Sequence, residues 1–370
     1  MHLFAYIVWD PIPELPYIAD WLNWPVRWYG LMFVIGFLVS QQIMFYFFKK
    51  DGRPARDVET LTVYLIFATI IGARLGHMFF YDFDRVLEDP LSIFYIHQGG
   101  LASHGATIAI PFALWLYSRK RKDQSFLWIL DRIVIVVALV GALIRFGNFI
   151  NSEILGKPTG SDAGVVFAHV AERTIYGLDQ NDNIFEYVEA RKAEGNEAAA
   201  GGQPVVIDIL FQDQINDRNV VERIVQNNIK SALSYPGVQE QLYLPDDEIN
   251  YEVTSKGGQF LVSIMAEGVP RHPAQLYETV YCLFLFAFLF WLWKTRRHKF
   301  PDGHLFALFL IILFTLRFID EFFKENQEAF EDDLVLNMGQ ILSIPAVLVG
   351  VGILIFIHSK KNQKNKEIKV

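Results

Sequence analysis

Apolar residues in this chain come in blocks of about 18 to 24, the length at which a helix spans a bilayer. Seven such blocks can be read, at about 26 to 48, 60 to 81, 101 to 118, 127 to 150, 274 to 293, 303 to 324 and 337 to 358. Ser103, His104 and Gly105 interrupt the start of the third. With 52% hydrophobic and 15% aromatic residues, the chain reads as a polytopic membrane protein.

Lysine and arginine in short loops mark the cytoplasmic side. They follow every second block: Lys49, Lys50, Arg53 and Arg56 after the first, Arg119 to Lys122 after the third, Lys294 to Lys299 after the fifth, and a lysine-rich tail after the seventh. The intervening segments, Asp10 to Asp20, Asp82 to Asp89 and Glu325 to Asp333, are acidic or neutral. The alternation predicts seven crossings with the N-terminus outside and the C-terminus inside. The formal charge of -8 is therefore divided between two faces and makes no case for nucleic acid. Residues 1 to 25 lack a positive n-region and a small-residue cleavage site, so no removable signal peptide is expected. Their Trp9, Tyr17, Trp21 and Trp24 suit an aromatic segment lying at the outer interface.

The one long polar segment, 157 to about 270, is placed outside. Val205 to Phe211, Tyr251 to Val253 and Gln259 to Met265 read as strands and Val220 to Leu233 as a helix. Residues 190 to 203 read as a flexible excursion. The expected organisation is an N-terminal membrane part (1 to 156), an inserted small α+β head (157 to 270) and a C-terminal membrane part (271 to 370). The single cysteine, Cys282, excludes an intramolecular disulfide and reads as an inert buried thiol.

Sorted by depth, the polar residues inside the spans gather in one leaflet, the outer one. They are Tyr29, Arg74, His77, His104, Arg145, Asn148, Gln275, Tyr277, Glu278, Arg317, Glu321 and Gln340. A transporter places its polar groups near the midplane. This distribution favours a site for an outer-leaflet lipid head group or an external substrate.

Arg145 stands out because a guanidinium near lipid costs about 2.5 to 3.5 kcal/mol on insertion scales and needs a partner or a task. Gly141, Arg145, Asn148 and Gly156 fall on one helical face if the helix persists. The alternative is a structural arginine tied to backbone or to Glu153. Arg317 and Glu321, one turn apart, are spaced to pair. His104 follows Gly99-Gly100, a glycine pair too short to indicate a phosphate cradle.

These residues carry a resemblance to the prolipoprotein diacylglyceryl transferase family of bacterial inner-membrane enzymes. The motifs are Arg27-Trp-Tyr29-Gly30, Gly72-Ala-Arg74-Leu-Gly76 and His104-Gly105. The most specific is Gly141-x-x-x-Arg145-x-Gly147-Asn148-Phe-x-Asn151-x-Glu153-x-x-Gly156. Arg271-His272-Pro273-Ala-Gln275-Leu-Tyr277-Glu278, Arg317-Phe-Ile-Asp-Glu321 and Met338-Gly339-Gln340 follow in family order. Three departures are visible. Ala106 replaces a second glycine, Leu313 stands where a tyrosine is expected, and the segment between Gly156 and Arg271 is longer than is typical.

The resemblance implies an all-α polytopic membrane protein with seven transmembrane helices and an inserted small α+β periplasmic head, in the inner (cytoplasmic) membrane. The implied reaction moves the diacylglyceryl group of phosphatidylglycerol to the lipobox cysteine thiol of a prolipoprotein, releasing glycerol 1-phosphate. It is the first step of lipoprotein maturation. The implied partners are phosphatidylglycerol, prolipoprotein signal peptides with a lipobox cysteine, and the lipid bilayer.

A thiol of pKa about 8.5 needs a base near neutrality, and His104 is the candidate. Arg145 and Arg317 offer forks that match phosphate oxygens. Tyr29, Asn148, Asn151, Gln275, Tyr277 and Gln340 are candidate substrate-binding residues, while Glu153, Glu321 and Gly156 support them. Gly141, Gly147 and Gly156 are expected to allow close packing. No metal or cofactor is expected, because Asp and Glu do not cluster with His at ligand spacings in the sequence. The competing readings are a catalytically inactive lipid-binding scaffold and an anion or lipid transporter.

Overall fold

The computed structural model describes residues 6–11, 26–95, 100, 102–179, 183–193, 202–326 and 329–367. Helices stand at all seven positions read from the hydrophobic blocks. They are α1 (Trp28–Lys50), α2 (Ala55–Phe80), α3 (Ser103–Arg119), α4 (Phe126–Ile150), α5 (Ala274–Arg296), α6 (His304–Asp320) and α7 (Met338–Glu367). Among the described residues five of them, α1, α2, α4, α5 and α7, are long and apolar enough to cross a membrane. The other two, α3 and α6, have 17 residues each, about 25 Å of helix against a hydrocarbon core of about 30 Å.

The chain divides into two compact units. One comprises Met1–Leu31, Arg145–Glu278 and Ile319–Asn337, the other Met32–Ile144, Thr279–Phe318 and Met338–Val370.

The second unit is a helix bundle whose core includes Phe47, Phe48, Tyr117, Ile129, Ile135, Leu289 and Trp293. Its tightest crossing joins α2 and α3. A Cβ on Gly105 would sit 1.9 Å from the Gly72 carbonyl oxygen, and one on Gly76 would sit 2.7 Å from the Gly105 Cα. Only glycine permits that approach. Arg132 and Arg297 both pair with Asp51, at 2.5 and 3.0 Å. Asp131 accepts the backbone N–H groups of Gly303 and Phe306 at 2.8 Å, capping the start of α6. Cys282 is buried, as expected, and takes part in no disulfide among the described residues.

The first unit contains the α+β segment. Antiparallel strands β3 (Phe185–Lys192), β4 (Gln203–Phe211), β5 (Leu242–Tyr243), β6 (Asn250–Lys256) and β7 (Gln259–Gly268) form one sheet, ordered β3-β4-β7-β5 with β6 also on β7. Val205, Ile207, Ile209, Val262 and Ile264 share a core with Ala171 and Ile175 of the helix His169–Tyr176. Val221, Val225, Ile229 and Leu233 complete it from a helical run through Arg218–Arg223, a π-helical Ile224–Ile229 and Lys230–Leu233. All three strands and the helix read from sequence are present.

The flexible reading of 190 to 203 holds for neither end. Ala190 to Lys192 finish β3, and Gln203 opens β4. Positions 194–201 lie outside the described residues. The charged positions of β3 conceal its alternation, because it is an edge strand.

A separate parallel pair joins β1 (Ile7–Trp9) to β2 (Val165–Phe167). Trp9 is therefore corrected from an interfacial anchor to a packed strand residue. Its Nε1 donates to the Phe149 carbonyl at 3.0 Å, and its ring stacks on Phe149 at 4.5 Å. Tyr17, Trp21 and Trp24 lie outside the described residues.

Candidate active site

The family-like residues of the first unit meet where α4 ends and α5 begins. Arg145 sits near the end of α4 with its side chain 19% exposed, and its Nε lies 2.5 Å from Glu278 Oε2 on α5. The partner is Glu278 rather than backbone or Glu153.

Glu278 also receives the ammonium of Lys324, itself buried and 3.1 Å from Asp320 and 3.3 Å from Glu321. Asn337 reaches Glu321 at 3.2 Å. Two cations and three carboxylates thus form one network, consistent with the need of buried charges for partners.

After α4 the chain turns sharply. Ser152 and Ile154 adopt φ of 55° and 59°, a conformation that costs a β-branched residue about 1 to 3 kcal/mol. Between them stands Glu153, whose carboxylate accepts Asn148 at 3.0 Å and Asn151 at 3.3 Å and lies 3.5 Å from Arg27. Gln275 donates to the Glu153 carbonyl at 2.6 Å. Positive φ thus flanks the anchored carboxylate on both sides.

Two signature glycines allow close backbone approach. A Cβ on Gly147 would lie 2.7 Å from the Cα of Tyr29, and one on Gly156 would lie 2.1 Å from the His272 carbonyl oxygen. Gly141 is different: its Cβ would meet only Cys282 Sγ, at an ordinary 3.7 Å. Tyr29 is 44% exposed at the start of α1. Tyr277 packs its ring against Phe323, with its hydroxyl 3.2 Å from His272 Nδ1.

His104, Arg317 and Gln340 belong to the second unit. His104 is exposed in the first turn of α3, its ring centroid 6.5 Å from that of Tyr81. Gln340 is buried and donates to the Phe318 carbonyl at 3.5 Å. Leu313 packs against the apolar core of this unit. Arg74, grouped by depth with the site residues, donates instead to the carbonyls of Ser92, Ile93 and Gly100 and so pins the loop after α2. Gly100 has φ 77°, and Gly99 lies outside the described residues.

Glu278 appears in a quoted motif, yet its role as Arg145's partner was not read, and Lys324 was missed altogether. The spacing Glu321-x-x-Lys324 on one helical turn was the available signal. Apart from this network, Asp10, His169 and Glu172 bring ligand atoms within 4.8 Å of one another. This corrects the expectation that no carboxylates cluster with a histidine. Asp10 is remote in sequence from the other two, so no local spacing reveals it.

Long apolar helices and an arginine held near a helix end by a buried carboxylate mark a membrane protein. The family model for prolipoprotein diacylglyceryl transferase matches residues 16–356, and the chain belongs to that family. Proteins named phosphatidylglycerol–prolipoprotein diacylglyceryl transferase are similar to it. The one from Chloroherpeton thalassium is 31% identical over 369 residues, 99% of each chain. That from Porphyromonas gingivalis is 32% identical over 361 residues, 96% of each. That from Tolumonas auensis is 31% identical over 336 residues, 91% of this chain and 93% of its own. The first match runs through the long segment after Gly156, so that segment is no peculiarity of this chain.

Proposed function

We propose that this chain is an enzyme that transfers the diacylglyceryl group of phosphatidylglycerol to the lipobox cysteine thiol of prolipoproteins. A sulfur–carbon bond forms at the glyceryl carbon while its carbon–oxygen bond to phosphate breaks. The thiol proton leaves to a base, and glycerol 1-phosphate departs. Family membership supports the reaction, and the observation that carries the site is Arg145, 19% exposed, with its Nε 2.5 Å from the buried carboxylate of Glu278.

An anchored guanidinium presents paired N–H donors to two phosphate oxygens, and its charge counts for more where water is scarce. Glu278 holds that fork in place, with Lys324 balancing the charge. Arg317 supplies the second phosphate contact. His104, exposed at the start of α3, takes the thiol proton. Asn148 and Asn151 act through Glu153, and Asn151 Oδ1, buried without a hydrogen-bond partner among the described residues, suits a head-group hydroxyl. Tyr29, Gln275 and Tyr277 of the first unit and Gln340 of the second are the remaining substrate-binding candidates.

In this reading the chain crosses the membrane seven times, N-terminus periplasmic and C-terminus cytoplasmic. Residues 157–270 form a periplasmic head between membrane parts 1–156 and 271–370. Both substrates carry hydrophobic segments and enter from the bilayer.

The test is turnover in proteoliposomes with phosphatidylglycerol and a lipobox peptide, following glycerol phosphate release and peptide mass together. Stoichiometric release with a diacylglyceryl mass gain, lost when the peptide cysteine becomes serine, is the expected result. A folded, lipid-binding protein that releases nothing would overturn the reading.

A further inference from the structure

The strands β1 and β2 run parallel in the register Ile7↔Val165, Val8↔Val166, Trp9↔Phe167, so the residues that follow them emerge at the same end. Asp10 follows β1. Ala168 follows β2, its N–H donating to the Trp9 carbonyl at 3.1 Å, and His169 then opens the helix His169–Tyr176. Glu172 lies three residues on, on the same face, with its Oε2 3.4 Å from His169 Nδ1. The β3 backbone fixes the third group: Asp10 Oδ2 accepts the Ala190 N–H at 2.8 Å. Asp10 Oδ1 is buried and receives no hydrogen bond among the described residues.

One atom from each of the three side chains lies within 4.8 Å of the others. His169 and Glu172 are only 13% and 19% exposed. Two carboxylates face each other across a short gap, and ionised carboxylates accept without donating. Like charges at that spacing repel, and a cation held between them removes the repulsion. Glu189 on the neighbouring β3 adds further negative charge.

We propose that Asp10, His169 and Glu172 form a three-ligand site for a divalent transition-metal cation of the zinc class, which fastens the N-terminal strand to the head. One imidazole nitrogen and two carboxylate oxygens suit zinc, whereas calcium and magnesium prefer sites built from oxygens alone. Tetrahedral zinc with bonds of about 2.0 to 2.1 Å sets its ligand atoms about 3.3 to 3.5 Å apart. His169 and Glu172 already stand at that spacing, and Asp10 approaches from the other element. With three protein ligands, water takes the fourth position. The role is structural: the cation replaces a repulsive contact with a cross-link between β1 and the helix that follows β2, and it takes no part in acyl-glyceryl transfer.

The experiment uses the full chain in detergent, purified without a histidine tag, stripped with chelator and titrated with zinc sulfate. Metal content is measured after dialysis, with cobalt substitution as a spectroscopic check. The expected result is one zinc per chain, a melting temperature that rises with zinc, and visible cobalt bands of tetrahedral type. All three should be lost, with affinity falling at least tenfold, in His169→Ala. Asp10→Asn and Glu172→Gln are close in shape to the native residues and decide the matter if His169→Ala fails to fold. Equal trace zinc in wild type and Glu172→Gln would overturn the proposal and leave a proton shared between the two carboxyls. Stoichiometric zinc that survives all three substitutions would overturn it too, by placing the metal elsewhere.

Discussion

Gly156→Ala tests whether backbone contact at the end of the signature holds the site. The added methyl would start 2.1 Å from the His272 carbonyl oxygen and 2.9 Å from both its carbonyl carbon and Cβ, whereas ordinary contact begins at 3.4 Å. Relief needs a backbone shift of about 1.3 Å, the difference between 3.4 and 2.1. Neither side yields readily. His272 N–H donates to the Lys157 carbonyl at 3.0 Å, and Lys157 N–H to the Phe323 carbonyl at 2.8 Å. Glu325 N–H donates to the Leu155 carbonyl at 3.1 Å, and Arg271 grips the Gly156 carbonyl at 3.0 Å. Overpacking of this kind costs about 1 to 3 kcal/mol of stability. A displacement of about 1 Å near a reacting centre costs about a hundredfold in rate. Because Glu153 and Gln275 each lie three residues from the clash, the shift reaches their 2.6 Å contact directly. Gly141→Ala is the control, since its methyl meets only Cys282 Sγ at 3.7 Å. Proteoliposome turnover should fall about a hundredfold in Gly156→Ala, mainly in kcat, and stay within about threefold of wild type in Gly141→Ala. Equal rates for the two variants would refute the reasoning.

Two further outcomes follow from the charged network and one from the candidate base. Arg145→Lys should keep an ion pair with Glu278 but lose the fork, lowering kcat about a hundredfold; full turnover would exclude a fork-dependent phosphate contact. Glu278→Gln should lower thermal stability by about 1 to 3 kcal/mol, less than a fully broken buried pair, because Lys324 keeps Asp320 and Glu321. It should also slow transfer, and unchanged melting with unchanged rate would remove Glu278 from both roles. His104→Gln should bind phosphatidylglycerol as wild type does while losing transfer, checked by lipid binding and turnover on one preparation; preserved transfer would dismiss the histidine as base.

What the sequence disclosed and what it hid divide along physical lines. Apolar block length located all seven helices, five of which are long and apolar enough to cross a membrane. The strongly apolar β4 and β7 were legible too. The edge strand β3, written Phe185-Glu-Tyr-Val-Glu-Ala-Arg-Lys192, was not: its exposed positions carry charge and imitate a loop. Trp9 misled because aromatic residues serve both interfaces and cores, and only pairing with β2 decides which. At the site, Arg145 announced itself by the improbability of a guanidinium in that setting. Its true counterion did not, since Arg145 and Glu278 lie on different helices and several carboxylates were available in sequence. The strain at Ser152 and Ile154 carries no sequence mark either, as neither residue type favours positive φ. These hidden features share one property. Each depends on which distant segment arrives beside a residue, so a motif names the groups that act, while the fold decides which neighbour gives each group its charge, its aim and its rigidity.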